Sequence, residues 1–309
     1  MKKKLIIRMS NNLGNQMFMY ASALSFSRQM ERELLIDNES SYLLKKNSNT
    51  WFSLDFFNIS SKIAPKSLKF TGQIGHLKRK LLKKLDILKL KKNFYLENKN
   101  NDKTTFYDDS FLDKRYSDNL FIEGYFESEK YFINYANDIR KEFVLKNKSK
   151  YLDHPLYKKI KNTHSICVCI RQNRFSGGKN RISIEDENKS KQFSEEQSNY
   201  IKNCMKIFKQ KIPNAKFFLW SNSYNDLSKY LPTNELNIVS TNKTDLDFFL
   251  MTQAKHFIVV PSSFNWWGCW LSENQEKIVF RPSNSIFSNY KINNIDFWPK
   301  NWIEINYND

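Results

Sequence analysis

Ser165-Ile166-Cys167-Val168-Cys169-Ile170 is an uncharged stretch that is apolar from its second residue onward. A strand covered on both faces reads as a continuous apolar run, whereas a half-exposed strand alternates, so this stretch predicts a central strand of a parallel sheet. It ends in the basic, glycine-containing segment Arg171 to Arg181. Downstream, helical and apolar segments alternate. The pattern predicts a helix from about Ser194 to Lys209, a strand Phe217 to Trp220, a helix Leu246 to Ala254 and a strand Phe257 to Val260, then a helix Phe264 to Leu271 and a strand Ile278 to Phe280. Strands separated by helix-length segments specify a parallel sheet with helices on both faces.

The same grammar opens the chain. Leu5, Ile6 and Ile7 predict a buried strand over Lys4 to Met9 that ends in Ser10-Asn11-Asn12. Met17, Phe18, Tyr20, Ala21, Leu24 and Phe26 follow at helical spacing, and Leu34 to Ile36 reads as a second strand. Residues 39–118 are polar and Asn/Lys-rich, with islands at Trp51 to Phe57 and Phe106 to Phe111. Order returns with a strand Leu120 to Tyr125 and a helix through Tyr131, Phe132, Ile139 and Phe143. The expectation is an α/β chain of two Rossmann-like domains, residues 1–160 and 161–309, with parallel sheets and a cleft between them.

Composition narrows the function classes. With 40% hydrophobic residues and 25 Phe, the chain has enough apolar side chains for packed cores. Its net charge of +18 predicts attraction to polyanions, whether phosphorylated small molecules, anionic lipid or nucleic acid. Much of the excess sits at Lys2, Lys3 and Lys4 and in the run Lys78 to Lys92. There the leucine spacing predicts an amphipathic basic helix with its leucines in the core, or else a membrane-surface contact. Cys167, Cys169, Cys204 and Cys269 form no CxxC pair, and His76, His154, His164 and His256 are scattered, so reduced cysteines, a cytoplasmic chain and no metal site are expected. The longest apolar runs fall short of a membrane span, which leaves peripheral contact.

Ligands of parallel sheets bind beyond the strand C-termini. The loops there are Asn11-Asn12-Leu13-Gly14-Asn15-Gln16, Arg171-Gln172-Asn173-Arg174, Ser221-Asn222-Ser223 and Pro261-Ser262-Ser263. Ser262 and Ser263 stand where a helix starting near Phe264 presents unpaired N–H groups, a good phosphate site; a plain serine N-cap is the alternative. Arg171 could grip a diphosphate bidentately, although a lone arginine more often pairs with a carboxylate. Gly14 belongs to neither a G-x-G-x-x-G nor a Walker pattern. Trp266, Trp267 and Trp270 resemble a binding platform, yet a helix carrying them buries at least two in the core.

Several blocks, in order along almost the whole chain, resemble the α-1,2-fucosyltransferase family of bacterial O-antigen and lipopolysaccharide enzymes, glycosyltransferase family 11. Leu13-Gly14-Asn15-Gln16-Met17-Phe18-Met19-Tyr20-Ala21 is similar to its G-G-L-G-N-Q-M-F-Q-Y-A opening, and Gly124-Tyr125-Phe126-Glu127-Ser128-Glu129-Lys130-Tyr131-Phe132 to its G-Y-[FW]-Q-S-E-K-Y-F segment. Asp247-Phe248-Phe249-Leu250-Met251 and Ser262-Ser263-Phe264-Asn265-Trp266-Trp267-Gly268 resemble D-x-x-L-M and S-S-F-S-W-W-G. The resemblance implies a GT-B-like fold, GDP-L-fucose as donor and inverting transfer to the 2-hydroxyl of a galactose-type acceptor in a lipid-linked or free surface oligosaccharide. By the same likeness Arg171 holds the diphosphate, Ser262, Ser263 and Phe264 form a phosphate loop, Asp247 contacts guanine, and Asn15 lies near the sugar. The family's H-x-R-R-x-D block is here Cys169-Ile170-Arg171-Gln172-Asn173-Arg174, so only its first arginine is kept.

Leaving-group charge on a diphosphate needs fixed cations and N–H dipoles, which Arg171 and the Ser262/Ser263 helix start can supply without a metal or other cofactor. Arg174 is a candidate second cation, and Ser221 and Asn222 are further donor-side candidates. For the base that an inverting transfer uses, Glu185, Asp186 and Asp245 lie near the relevant loops. Two alternatives follow: transfer of another GDP-linked deoxysugar, prompted by the altered arginine block, and nucleic-acid binding, prompted by the charge. The ordered loop blocks argue against the latter, and no nucleic-acid partner is expected.

Overall fold

The computed structural model describes residues 2–42, 51–98, 105–112, 114–175, 183–283 and 296–306. The chain divides into two units, Met1–Lys146 with Asn293–Pro299, and Asn147–Ile292 with Lys300–Asp309. Each is built on one parallel sheet, as the apolar runs predict.

In the first unit the order is β1 (Lys4–Arg8), α1 (Leu13–Gln29), β2 (Glu33–Asp37), β3 (Lys62–Ile63), α2 (Gly72–Asp86), β4 (Lys92–Leu96), β5 (Tyr116–Glu123) and α3 (Ala136–Glu142). The sheet order is β3-β2-β1-β5-β4. Leu5, Ile6 and Ile7 are fully buried at its centre, and α1 is buried along nearly its whole length, so it is a core helix rather than an amphipathic cover. Gln16 shows how the opening motif works locally. Its Nε2 donates to the carbonyls of Asn11 and Trp51 at 2.8 and 2.7 Å, and its Oε1 accepts from the Ser53 amide at 2.8 Å. Asp296 belongs to this unit too, accepting from Lys130 Nζ at 2.5 Å and from the Tyr107 amide at 2.8 Å.

Two expectations fail here. The single helix through Tyr131 and Phe143 is instead two short 3-10 turns, Glu129–Tyr131 and Ile133–Tyr135, before α3. Its aromatics pack by edge contacts, such as Tyr131 on Phe26 and on Phe126, that do not need helical spacing. The leucines of the Lys78 to Lys92 run are not in the core either: α2 ends at Asp86, and Leu77, Leu81, Leu85, Leu88 and Leu90 are exposed. Its buried residues are Arg79 and Asp86, because both have polar partners on the sheet side.

The second unit runs α4 (Lys148–Tyr151), α5 (Pro155–Lys161), β6 (His164–Ile170), α6 (Ile184–Lys211), β7 (Ala215–Ser221) and β8 (Leu236–Ile238). It continues with α7 (Thr244–Thr252), β9 (His256–Ile258), α8 (Ser263–Leu271), β10 (Val279–Pro282) and β11 (Ile303–Ile305). Its sheet order is β11-β10-β9-β6-β7-β8. Residues 147–160 fall in this unit because α4 packs on α7, and α5 on β6 and α7. The helix α6 starts ten residues before the apolar signal, at a capping box of Ser183 and Asp186 whose first turns are polar and exposed. Trp266, Trp267 and Trp270 are all buried, as the core reading requires, and all four cysteines are buried thiols. In α8, a Cβ on Gly268 would stand 2.3 Å from Met251 Sδ of α7, so the glycine lets the two helices close. Among the described residues no helix is long and apolar enough to cross a membrane.

Candidate functional site

The order in which strands are added to the second sheet reverses between β6 and β9: from β6 the chain winds through β7 and β8, then returns to place β9 on the other side, all strands parallel. Such a switch point leaves the loops after the two strands apart and opens a crevice at their C-terminal ends. A cavity of about 300 Å³ lies there. It is lined by Ile170 at the end of β6 and Arg171 just after it, Trp220, Ser221, Asn222 and Tyr224 around the end of β7, Thr244 and Asp247 of α7, and Ser262, Phe264 and Asn265 at the start of α8. The sequence candidates Arg171, Ser221, Asn222, Asp247, Ser262 and Phe264 are thus brought together, from loops up to 93 positions apart (171 to 264).

Arg171 is half-buried, its Nε is fully shielded, and that nitrogen has no hydrogen-bond partner. Among the described residues no carboxylate pairs with it. Burial pushes the guanidinium below the usual arginine range, and among the described residues no anion pushes it back. An unpaired charge held in a shielded place is costly, so it marks a site for an anion. Its backbone is fixed by Gln197 of α6, whose Oε1 accepts from the Arg171 amide at 3.0 Å and whose Nε2 donates to the Arg171 carbonyl at 2.9 Å. Asn222 does the same for the next residue, accepting from the Gln172 amide at 2.8 Å and donating to its carbonyl at 2.9 Å. The Asn222 amide therefore lines the cavity and also holds the arginine loop. Ser221 is similarly engaged, donating to the Ser223 carbonyl at 2.5 Å.

Opposite the arginine loop, Ser262 is the N-cap of α8 with extended backbone, and its side chain makes no capping bond. The serine side chain therefore does not cap the helix, and Ser262, Phe264 and Asn265 at the start of this nine-residue helix line the cavity. Ser263 is not among the lining residues, although it begins the helix. Arg174 is not among them either. Its Nη1 donates to the Pro261 carbonyl at 2.8 Å and its guanidinium sits 5.3 Å from the Phe193 ring, so it braces the loop that carries Ser262.

Asp247 closes the cavity from α7. Its Oδ1 accepts from the Thr241 hydroxyl at 2.9 Å and amide at 3.2 Å, and its carbonyl accepts from Trp220 Nε1 at 3.1 Å. Burial raises the carboxyl above the usual aspartate range, and the Thr241 bonds only partly offset this. The three base candidates lie elsewhere. Asp186 completes the α6 capping box, Glu185 pairs with Lys189 at 2.5 Å, and Asp245 accepts from the Tyr151 hydroxyl, whose pKa burial and that carboxylate raise to about 12. Asn15 belongs to the first unit, in the first turn of α1, with its Nδ2 on Glu127 Oε1 at 2.8 Å. The glycines of the Arg171 to Arg181 stretch lie outside the described residues.

Sequence reasoning missed Gln197, Thr241, Tyr224, Thr244 and Asn265. Gln197 carried one usable signal, a polar residue amid the buried positions Phe193, Ser194, Ser198 and Tyr200 of α6. Removing it unpairs two backbone groups, so Gln197→Leu is expected to destabilise the fold by about 2–4 kcal/mol in urea unfolding. An unchanged midpoint would show that the Arg171 loop is held by other contacts.

The first unit has its own switch point, between β1 and β5, where Asn11 Nδ2 meets the Tyr125 hydroxyl at 3.5 Å. Glu97 accepts from the Tyr125 and Phe126 amides at 2.8 and 2.7 Å, which fixes the Gly124-Tyr125-Phe126 segment. A Cβ on Gly124 would lie 2.3 Å from Glu97 Cβ, so glycine is needed there for space.

Comparison with known proteins fits this arrangement. Over 97% of this chain and 98% of its own length, an alpha-1,2-colitosyltransferase of Escherichia coli is 24% identical. The O-antigen biosynthesis glycosyltransferase WbnK of Escherichia coli is also 24% identical, over 92% of this chain and 95% of its own. Among solved structures, a mutant of Arabidopsis thaliana FUT1 in complex with GDP gives a TM-score of 0.51 at 14% identity, covering 92% of this chain and 71% of that one. That likeness supports the fold class, two parallel-sheet α/β domains of GT-B type. The model of the family described as "Glycosyl transferase family 11" matches residues 4–306, so a glycosyltransferase is what the motifs and the sheets jointly describe, and the chain belongs to that family.

Proposed function

We propose that the cavity takes the GDP part of GDP-L-fucose and that the chain transfers the sugar, with inversion, to the 2-hydroxyl of a galactose-type residue in a surface oligosaccharide. The observation that carries this reading is one cavity that brings together Arg171 with a shielded, unpartnered Nε, a helix start whose N-cap Ser262 makes no side-chain bond, and a half-buried Asp247. As the acceptor hydroxyl oxygen attacks the anomeric carbon and releases its proton to water, the bond to the β-phosphate oxygen breaks and negative charge moves onto GDP. Arg171 and the N–H groups of α8 stabilise that charge from fixed positions, with no metal ion in the role. Asp247 accepts from the guanine edge through the oxygen that Thr241 leaves open. The volume, at the small end of ligand cavities, suits a nucleotide whose sugar extends beyond it.

A second reading is transfer of another GDP-linked deoxysugar, colitose above all. It is favoured by the colitosyltransferase relative and by Gln172, which replaces the family's second arginine and buries an Nε2 without a partner beside the cavity. Side-by-side initial rates with GDP-fucose and GDP-colitose on galactosides, in chelator, decide between the two. The first reading expects GDP-fucose to be favoured at least tenfold. A reversed ratio selects the second reading, and activity seen only with added divalent ion overturns the metal-free role of Arg171.

A further inference from the structure

A helix packed on a sheet ordinarily turns its aliphatic stripe inward. In α2 the stripe points out. Ile74, Leu77, Leu81, Leu85 and Leu88 recur at helical spacing through α2 and the turn after it, and Leu81 and Leu88 are 57% and 86% exposed. Polar bonds fix this orientation from the inner side. Arg79 Nη1 lies 2.6 Å from both Glu123 carboxylate oxygens, and Lys83 Nζ is 2.5 Å from one of them. Asp86 accepts from the backbone amides of Asn93 and Phe94 at 2.8 and 2.9 Å. Burial raises the Glu123 carboxyl, but the bonds from Lys83 and Arg79 outweigh it and hold the group below the ordinary glutamate range. Turning the leucines inward would unpair all of these groups, which costs more than the stripe would gain.

Charge identifies the occupant. Lys78, Lys80, Lys84, Lys89 and Lys91 are exposed around the stripe, and the only acid between residues 72 and 91, Asp86, is buried. A second copy of this chain would set lysines against lysines. A nucleic acid would meet aliphatic side chains in place of the aromatic platforms on which bases stack. An anionic bilayer matches both features, since lipid phosphates meet the lysines while the aliphatic stripe enters the headgroup boundary. We propose that the outward face of α2 seats this glycosyltransferase on anionic lipid, as a peripheral contact.

The test is sedimentation of the full chain with vesicles of phosphatidylcholine containing phosphatidylglycerol, and with phosphatidylcholine alone. Pelleting is expected with the first only, and it should weaken as salt is raised. Lys80→Gln/Lys84→Gln should weaken it about thirtyfold, and Leu77→Ser/Leu81→Ser/Leu88→Ser should abolish it. Both variants should keep the parent's unfolding temperature, because all five side chains are exposed. Variants that pellet like the parent, or equal pelleting with neutral vesicles, overturn the proposal. So does a dimer in sedimentation velocity that the leucine variant breaks, or oligonucleotide binding, where the parent does not bind vesicles.

Discussion

Arg171→Ala is expected to lower turnover with a GDP-sugar about a thousandfold while leaving the unfolding temperature of the unliganded protein unchanged or higher. The first half follows from the role of a fixed cation at the leaving group, where loss of one oriented donor costs about 10²–10³ in rate. The second half follows from the environment. Arg171 is half-buried, its Nε is without a partner, and among the described residues no carboxylate offsets its charge, so its charge adds nothing to the unliganded fold. Its backbone contacts to Gln197 do not depend on the side chain and survive the substitution. Arg171→Lys keeps the charge but not the planar fork, and should fall between parent and alanine variant. Initial rates of GDP release and a thermal melt without nucleotide read the two halves separately. Undiminished turnover would remove Arg171 from the mechanism, and a large drop in melting temperature would make it a structural residue.

Asp247→Asn should weaken GDP binding roughly a hundredfold, because a carboxylate accepting from the guanine edge is exchanged for a neutral amide that also presents donors. Its effect on stability runs the other way. Burial holds the native carboxyl above the range of an unfolded aspartate, so folding favours the protonated form. The cost of ionising it in the fold is absent below the unfolded value of about 3.9 and fully present above the raised native value. The asparagine variant should therefore match the parent in strong acid and be more stable at neutral pH. Affinity of the parent for GDP should fall as pH drops through the raised value, since protonation removes the charge of the oxygen that accepts from the guanine edge. Calorimetric titration with GDP at neutral and acidic pH, beside melts of the two proteins, checks both signs. A variant with parental affinity would take Asp247 out of base recognition.

The parallel sheets were legible because a strand covered on both faces has to be apolar throughout, as Ile166 to Ile170 and Leu5 to Ile7 are. The short edge strands β3, β8 and β11 were not, since two or three residues at a rim carry no such run. Part of the site was legible for a related reason: the loops after the strands are where parallel sheets bind ligands. The division of labour within it was not. Asn222 and Ser221 look like ligand groups in sequence, but their partners, Gln172 and Ser223, are protein backbone. Arg174, a candidate second cation in sequence, donates from Nη1 to the Pro261 carbonyl. The partner of a polar side chain is set by what lies across space, on which spacing is silent.

From the sequence alone came the two-sheet α/β architecture, the family and six of the residues that line the cavity of the second sheet, Arg171, Ser221, Asn222, Asp247, Ser262 and Phe264. Each rests on local pattern, in apolar runs, helix spacing and ordered motifs, that a chain states directly. Tertiary structure decided that Arg171 is unpaired, that Ser262 leaves the helix start uncapped and that the leucines of α2 face outward. Those outcomes depend on which partners reach one another across the fold, such as Glu123 for Arg79. A leucine stripe has the same spacing whether it faces a core or a lipid surface, and only the far partners of its neighbours choose the side.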